Sequence, residues 1–265
     1  MAIINGVGRV GVRVTSGGSS GGGTDADAQA FITAASITDP TQISAVNTLV
    51  TGLKSNNLWS KMKAIYPVVG GNATAHSKNL KNPSQYQLSF SSGWVHSSTG
   101  MQGNGTSAYA SLGYTQSEFM VPGSGHMAIY SRTQTTAGGR IEMGNYAGAG
   151  YTILQITDNM KCTINASNML FGNSNTDGRG FYIGSRISST SNLQSKNATQ
   201  YTSSYSEAFS VGNIVIGAVG TMGAPQLYST KQYALASIGL GLNSSEMTIY
   251  NTLVQAFQTT LGRQV

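Results

Sequence analysis

The chain has 265 residues, of which 9% are charged and 34 are glycine, and its 15 basic and 9 acidic side chains leave a net charge of +6. That length buries a substantial core in one large domain or two small ones, and an apolar content of 39% excludes a disordered chain. The basic residues form no Lys/Arg block and do not alternate with aromatic ones, which excludes the usual nucleic-acid surfaces and leaves attraction to an acidic protein or an anionic cell surface as the use of the charge.

Residues 1–14, MAIINGVGRVGVRV, end in a strand pattern with Val10, Val12 and Val14 on one side and Gly11 and Arg13 on the other. Gly6, Gly8 and Gly11 spell a formal GxGxxG, but no full strand precedes it and no helix follows, so a dinucleotide site is rejected. The Gly/Ser run 15–24, TSGGSSGGGT, is a flexible tether. A strand on a tether reads as an arm that pairs with another chain, and Arg9, Val10, Val12, Arg13 and Val14 are its anchoring residues. After Met1 there is no long apolar run of a secretory signal, and no 18-residue apolar stretch predicts a membrane-crossing helix.

Residues 25–36 predict a short helix with Asp25 and Asp27 at its positive end. A second helix runs from an N-cap at Asp39 to about Asn56, with Pro40 in the first helical position and Ile43, Val46, Leu49, Val50 and Leu53 forming one stripe. Trp59 follows and packs into the body. The chain then reads as short strands between glycine or polar turns, among them KAIYPVVGG, WVHSSTG, TSAYASL, HMAIYSR, GRIEMGNY, YTILQIT, KCTINA, GFYIGSRI, NIVIGAV and PQLYST. A C-terminal helix begins at Asn243, which with Glu246 makes a capping box. Its stripe is Met247, Tyr250, Val254, Phe257 and Leu261, Gly262 stops it, and Arg263 lies near the negative end of its dipole. The helices share the run Asn-Thr-Leu-Val at Asn47–Val50 and Asn251–Val254, which suits two capped helices with similar docking jobs. The predicted architecture is mainly β, an antiparallel jelly-roll sandwich with flanking helices and an N-terminal strand arm. Its divisions are an arm and linker over 1–24, a helical segment over 25–62 and the sandwich with its C-terminal helix over 63–265.

Four stretches carry a family resemblance: residues 31–83, from FITAAS to KNLKNP; GWVHSSTGMQGNGTSAYAS; FYIGSRISSTSNLQSKNATQ; and the tail ending QAFQTTLGRQV. Together they resemble the concanavalin A-like, laminin-G-like lectin and glucanase sandwich as it occurs in structural proteins of tailed phages, especially the crAss-like and Bacteroidetes type. The resemblance covers residues 28–265 and leaves the arm outside. It implies a virion protein, a head fibre or capsid decoration or a tail-associated subunit, made in a host cytoplasm and released by lysis. Its expected partners are other virion proteins (capsid, portal or tail components), its own copies, and glycans of the host surface.

Some members of that superfamily hydrolyse glycans with paired carboxylates. The nine here, Asp25, Asp27, Asp39, Glu118, Glu142, Asp158, Asp177, Glu207 and Glu246, do not form the Glu-x-Asp-x-x-Glu strand of its glucanases. No catalytic residue is therefore expected; Glu142 is the best single candidate, with a solvent-facing strand position as its plain reading. No Gly-x-Ser-x-Gly elbow is present. His76, His96 and His126 are isolated and lack metal-ligand spacing, Asn173, Asn175 and Asp177 only faintly echo a calcium loop, and no metal or cofactor is expected. Cys162 has no internal partner and reads as a small core residue. The sequons at Asn72 and Asn197 carry no weight without a secretory route. Sugar binding calls for partly exposed aromatic rings beside amides or hydroxyls, which makes Trp94, Tyr109, Tyr146 and Tyr151 the candidate glycan-binding residues.

Overall fold

The computed structural model describes residues 23–168 and 172–265. The arm predicted from Arg9, Val10, Val12, Arg13 and Val14 lies outside the described residues. Helix α1 (Ala26–Ala34) starts at Asp25, whose side chain accepts a bond from the Asp27 N–H, and α2 (Pro40–Ser55) starts at Asp39, whose side chain accepts from Gln42 N–H. The Lys54 ammonium lies 2.7 Å from Asp25 and 2.6 Å from Asp27, tying the end of α2 to the start of α1.

The strands follow as β1 (Met62–Tyr66), then the short helix α3 (Ala73–His76), β2 (Ser89–Phe90), β3 (Val95–Ser97), β4 (Gly100–Gln102), β5 (Ala110–Thr115) and β6 (Gly125–Ser131). Next come β7 (Met143–Ala147), β8 (Gly150–Gln155), β9 (Asn159–Ala166), β10 (Asn173–Ser174), β11 (Gly180–Arg186), β12 (Ser191–Lys196) and β13 (Thr199–Ser204). The chain closes with β14 (Asn213–Ile216), β15 (Gln232–Gly239) and helix α4 (Ser244–Thr260).

These strands make two antiparallel sheets packed as a sandwich. The helix-side sheet has eight strands, ordered β13-β12-β11-β6-β15-β4-β3 with β1 also on β15; the outer sheet has seven, ordered β10-β9-β8-β7-β14-β5-β2. Between the sheets Met127, Ile129, Tyr182, Tyr233 and Ile238 meet Met143, Leu154, Cys162, Ile164 and Ile216. On its other face the helix-side sheet presents Tyr130, Phe181, Ile183 and Leu235 to Val46, Leu49 and Leu53 of α2 and to Tyr250, Val254 and Phe257 of α4. With both faces covered, β6 and β11 are buried at every position. The apolar stripes of the helices thus dock on a sheet, and among the described residues no helix or further sheet covers the far side of the outer sheet.

Several local expectations differ. PQLYST (225–230) is not a strand: the chain from Gly217 to Lys231 is a loop, and β15, the strand flanked by β6, β4 and β1, starts at Gln232 and runs through the apolar stretch before α4. The hairpin β12–β13 carries SNLQSK and TQYTSS, too polar to signal strands. Its buried amides link the layers instead: Asn192 Oδ1 accepts from Ile164 N–H at 3.3 Å and Gln194 Oε1 from Cys162 N–H at 3.1 Å. The capping box at Asn243 and Glu246 is formed, and Gly262 ends α4 at φ +63. Arg263, however, is no solvated partner of the helix dipole. It is buried and donates to the carbonyls of Pro67, Val68 and Ala234, and desolvation lowers its pKa to about 9.

Candidate glycan-binding face

The free side of the outer sheet is where exposed aromatic rings gather. Strands β7 and β8 form a hairpin over YAGAGY in which Tyr146 and Tyr151 are directly opposite. Alternation along each strand sends both rings outward while Met143 and Leu154 point into the core. The rings stack with centroids 4.6 Å apart and planes 13° from parallel. Tyr146 is 46% exposed and Tyr151 half-buried. The adjacent Tyr146 hydroxyl, with a smaller effect of burial, raises the Tyr151 phenol above its ordinary value and keeps it protonated.

The stacked pair lines a depression of about 320 Å³ whose floor is Ile141, Ile153 and Val219 and whose rim holds Gln155, Thr221 and Gln226. An apolar floor with stacked rings and a ring of amide and hydroxyl groups is suited to a ligand with a flat C–H face and hydroxyls at its edge. No charged side chain lines it.

One wall is the loop from Gly217 to Lys231, and Glu142 holds it. Gly217 N–H bonds to the Glu142 carbonyl at 2.7 Å, Ser229 Oγ donates to Glu142 Oε1 at 3.2 Å, and the Lys231 ammonium lies 3.7 Å from the same oxygen. The second carboxylate oxygen accepts from Ile156 N–H at 2.5 Å. Glu142 is fully buried, so its expected solvent-facing position is wrong; desolvation, opposed by Lys231, raises its pKa to about 7. It is a staple beneath the loop and faces no cleft. Further along, Gly220 bonds to β7 on both sides, and Val219 pairs with Gln226.

The other two sequence candidates lie elsewhere. Tyr109 lines a neighbouring depression of about 220 Å³ with Ser111 and Asn213, which shares Thr221 with that of the tyrosine pair. Trp94 packs on the inter-sheet core, with its ring against Gly217, where an added Cβ would come within 2.8 Å of the indole. Its indole N–H is buried and finds no acceptor among the described residues. The structure therefore brings together Tyr146 and Tyr151, puts Tyr109 in an adjoining depression and packs Trp94 against the core.

The titratable groups elsewhere are absorbed by the fold. His76 and His96, expected to be isolated, meet with Nδ1 atoms 2.9 Å apart, and among the described residues no cluster of three metal-ligating side chains occurs. In the loop that echoed a calcium site, Asn175 Oδ1 accepts from the Lys196 ammonium at 2.7 Å and Asp177 pairs with Arg179 at 2.7 Å, so the protein's own cations occupy those oxygens. Glu207 accepts from Gly123 N–H, and Glu246 pairs with Lys61. Of the nine carboxylates, Asp158 and Glu118 alone have no partner among the described residues.

No protein-family model matches the sequence, and no curated protein matches it significantly. Among solved structures, the chain is similar to a mutant of Trypanosoma rangeli sialidase displaying trans-sialidase activity, at 9% identity and TM-score 0.52, over 83% of this chain and 39% of the sialidase. It also aligns with domain 4 of AbnA, an extracellular arabinanase of Geobacillus stearothermophilus in complex with arabinotriose, at 11% identity and TM-score 0.43, over 72% and 98% of the two chains. A third match is the botulinum neurotoxin serotype D binding domain, at 8% identity and TM-score 0.49, over 74% of this chain and 52% of that one. The chain spans well under half of the sialidase it matches. At this identity the likeness to the sialidase bears on the fold alone, a mainly β sandwich of two antiparallel sheets.

Proposed function

We propose that this chain is a non-enzymatic, lectin-like sandwich that binds glycans on the free face of its outer sheet. The observation that carries the reading is the stacked pair Tyr146 and Tyr151 beside an uncharged depression rimmed by Gln155, Thr221 and Gln226. The absence of turnover is supported by the carboxylates: Glu142 lies sealed under a loop and six of the others are held in caps and ion pairs or by a backbone N–H.

The setting we infer is the particle of a tailed phage, with the sandwich displayed as a head fibre, capsid decoration or tail-associated subunit and attached by its N-terminal arm. This rests on the sequence resemblance and on the tethered strand that the sequence pattern predicts at Val10–Val14. A displayed sandwich that holds host-surface glycans serves attachment.

Screening the protein and its Tyr151→Ala variant on a glycan array, followed by titration of the sugars retained, tests the site. The variant loses affinity at least about tenfold while its melting transition stays close to that of the parent protein, as expected for a central aromatic contact. Equal binding by the two proteins, or no binding by either, contradicts the reading.

A further inference from the structure

A second depression adjoins the tyrosine site. It measures about 490 Å³ and lies between the wall Thr136–Gly139 and the start of β9, where Thr157, Asp158, Asn159 and Lys161 line it. Gln155 lines both depressions. It stands directly opposite Lys161 in the β8–β9 ladder and on the same strand face as Ile153 and Tyr151, so one face of β8 carries the junction and the stacked ring together.

The fold makes little use of the polar groups here. Gln155 is 8% exposed as a residue, and its amide, still reached by solvent, makes no hydrogen bond with any described residue. The side chains of Asp158, Asn159 and Lys161 are likewise free of bonds and ion pairs among the described residues, in a chain that engages most of its other carboxylates. A cluster of unspent donors and acceptors lining a depression, with an amide that also lines its neighbour, has the composition of a binding site.

We propose that the two depressions are adjacent subsites for one linear glycan chain, joined by Gln155. This rests on the glycan reading of the tyrosine site. One sugar stacks on Tyr146 and Tyr151. The next lies over Thr157–Lys161, where the Asp158 carboxylate accepts from hydroxyls and the Lys161 ammonium donates to ring or hydroxyl oxygens. The Gln155 amide bonds to both units, donating through Nε2 and accepting through Oε1. Crossing from β7 to β9 takes two strand spacings, about 10 Å, which a single sugar ring does not span. The site thereby selects internal stretches of a chain over single terminal sugars. The wall carries Gly138 and Gly139, both at positive φ (+107 and +51), a backbone suited to adjusting over chains of different substitution.

Calorimetric titration of the full chain with cello-, xylo- and chito-oligosaccharides of one to four units tests this. Affinity rises from the monosaccharide to the di- or trisaccharide of the series that binds. Asp158→Ala and Lys161→Ala, both at solvent-reached positions, lower trisaccharide affinity about five- to tenfold and leave monosaccharide affinity unchanged. Gln155→Ala lowers both. Thr157→Trp, which fills the second depression and removes no contact from the first, abolishes the length dependence, and melting curves confirm that each variant is folded. Binding that requires Tyr151 but is independent of length, or that is indifferent to Asp158, Lys161 and Gln155, overturns the second subsite and leaves the tyrosine site standing. If no series binds, both readings fall together, and the face then belongs to a protein contact.

Discussion

His126 is fully buried between β6 and Tyr250 of α4, its Nδ1 2.6 Å from the Leu240 carbonyl, and burial lowers its pKa to about 4 despite that bond. His76 is lowered to about 3, first by burial and then by His96 and Arg263. Both imidazoles are therefore neutral when folded, whereas unfolded histidine titrates near pH 6.5. Below that value the unfolded chain binds more protons, so their contribution to stability is intact at neutral pH and is lost as pH falls from about 6.5 towards 4. Glu142 works in the opposite sense. With its folded pKa raised to about 7, its contribution is full below the ordinary carboxylate range and fades as pH rises from about 4.5 to 7. Thermal melts across pH 4 to 7 should thus show a shallow net slope in the parent protein, and a visibly flatter acid limb in His126→Asn; an unchanged acid limb would rule out His126 as its source. Glu142→Ala, which strands the nearly buried Lys231 and frees the loop, costs about 3 kcal/mol or more by denaturant titration. A loss under 1 kcal/mol would mean that the pair does not hold the loop. Glu142 was read from sequence as solvent-facing because alternation in GRIEMGNY does not reveal which side is covered. Its partners Ser229 and Lys231 are distant in sequence and sit in a loop whose path only the fold specifies.

At the scale of elements, legibility followed how local each signal is. Helices α2 and α4 were readable because cap, stripe and stop all lie within one segment, and Asn243 and Glu246 form the reciprocal bonds their spacing implies. Asn243→Ala should cost about 1 kcal/mol, seen as a lower denaturation midpoint, because it leaves the Glu246 N–H of the first turn without its acceptor. A midpoint equal to that of the parent protein would show that the cap is dispensable once α4 is docked. The hairpin β12–β13 is polar throughout, because the buried amides of β12 satisfy the neighbouring sheet's backbone in place of forming apolar contacts and β13 is only partly covered. The site was half legible. Tyr146 and Tyr151 are legible as aromatics beside amides or hydroxyls, but their pairing depends on the register of a tight hairpin. Trp94 and Tyr109 carry the same sequence signal and diverge only through tertiary packing. Gln155 gave no signal, since an amide in YTILQIT becomes informative only when it is seen to lack partners.

For the whole molecule, the layering explains where function is placed. Three helices cover one side of the helix-side sheet, the outer sheet covers its other side, and the remaining free face carries the stacked tyrosines. If the arm anchors the chain in a phage particle, deleting residues 1–23 abolishes incorporation while the isolated sandwich keeps its fold and its sugar binding; full incorporation of the truncated chain would refute the arm's role. The claim on which the account depends most is the location of the sugar. A crystal structure of the chain with a bound oligosaccharide would decide it: the account predicts a sugar ring stacked on Tyr146 and Tyr151 with Gln155 bonded to the chain, and a sugar seated on any other face would contradict it.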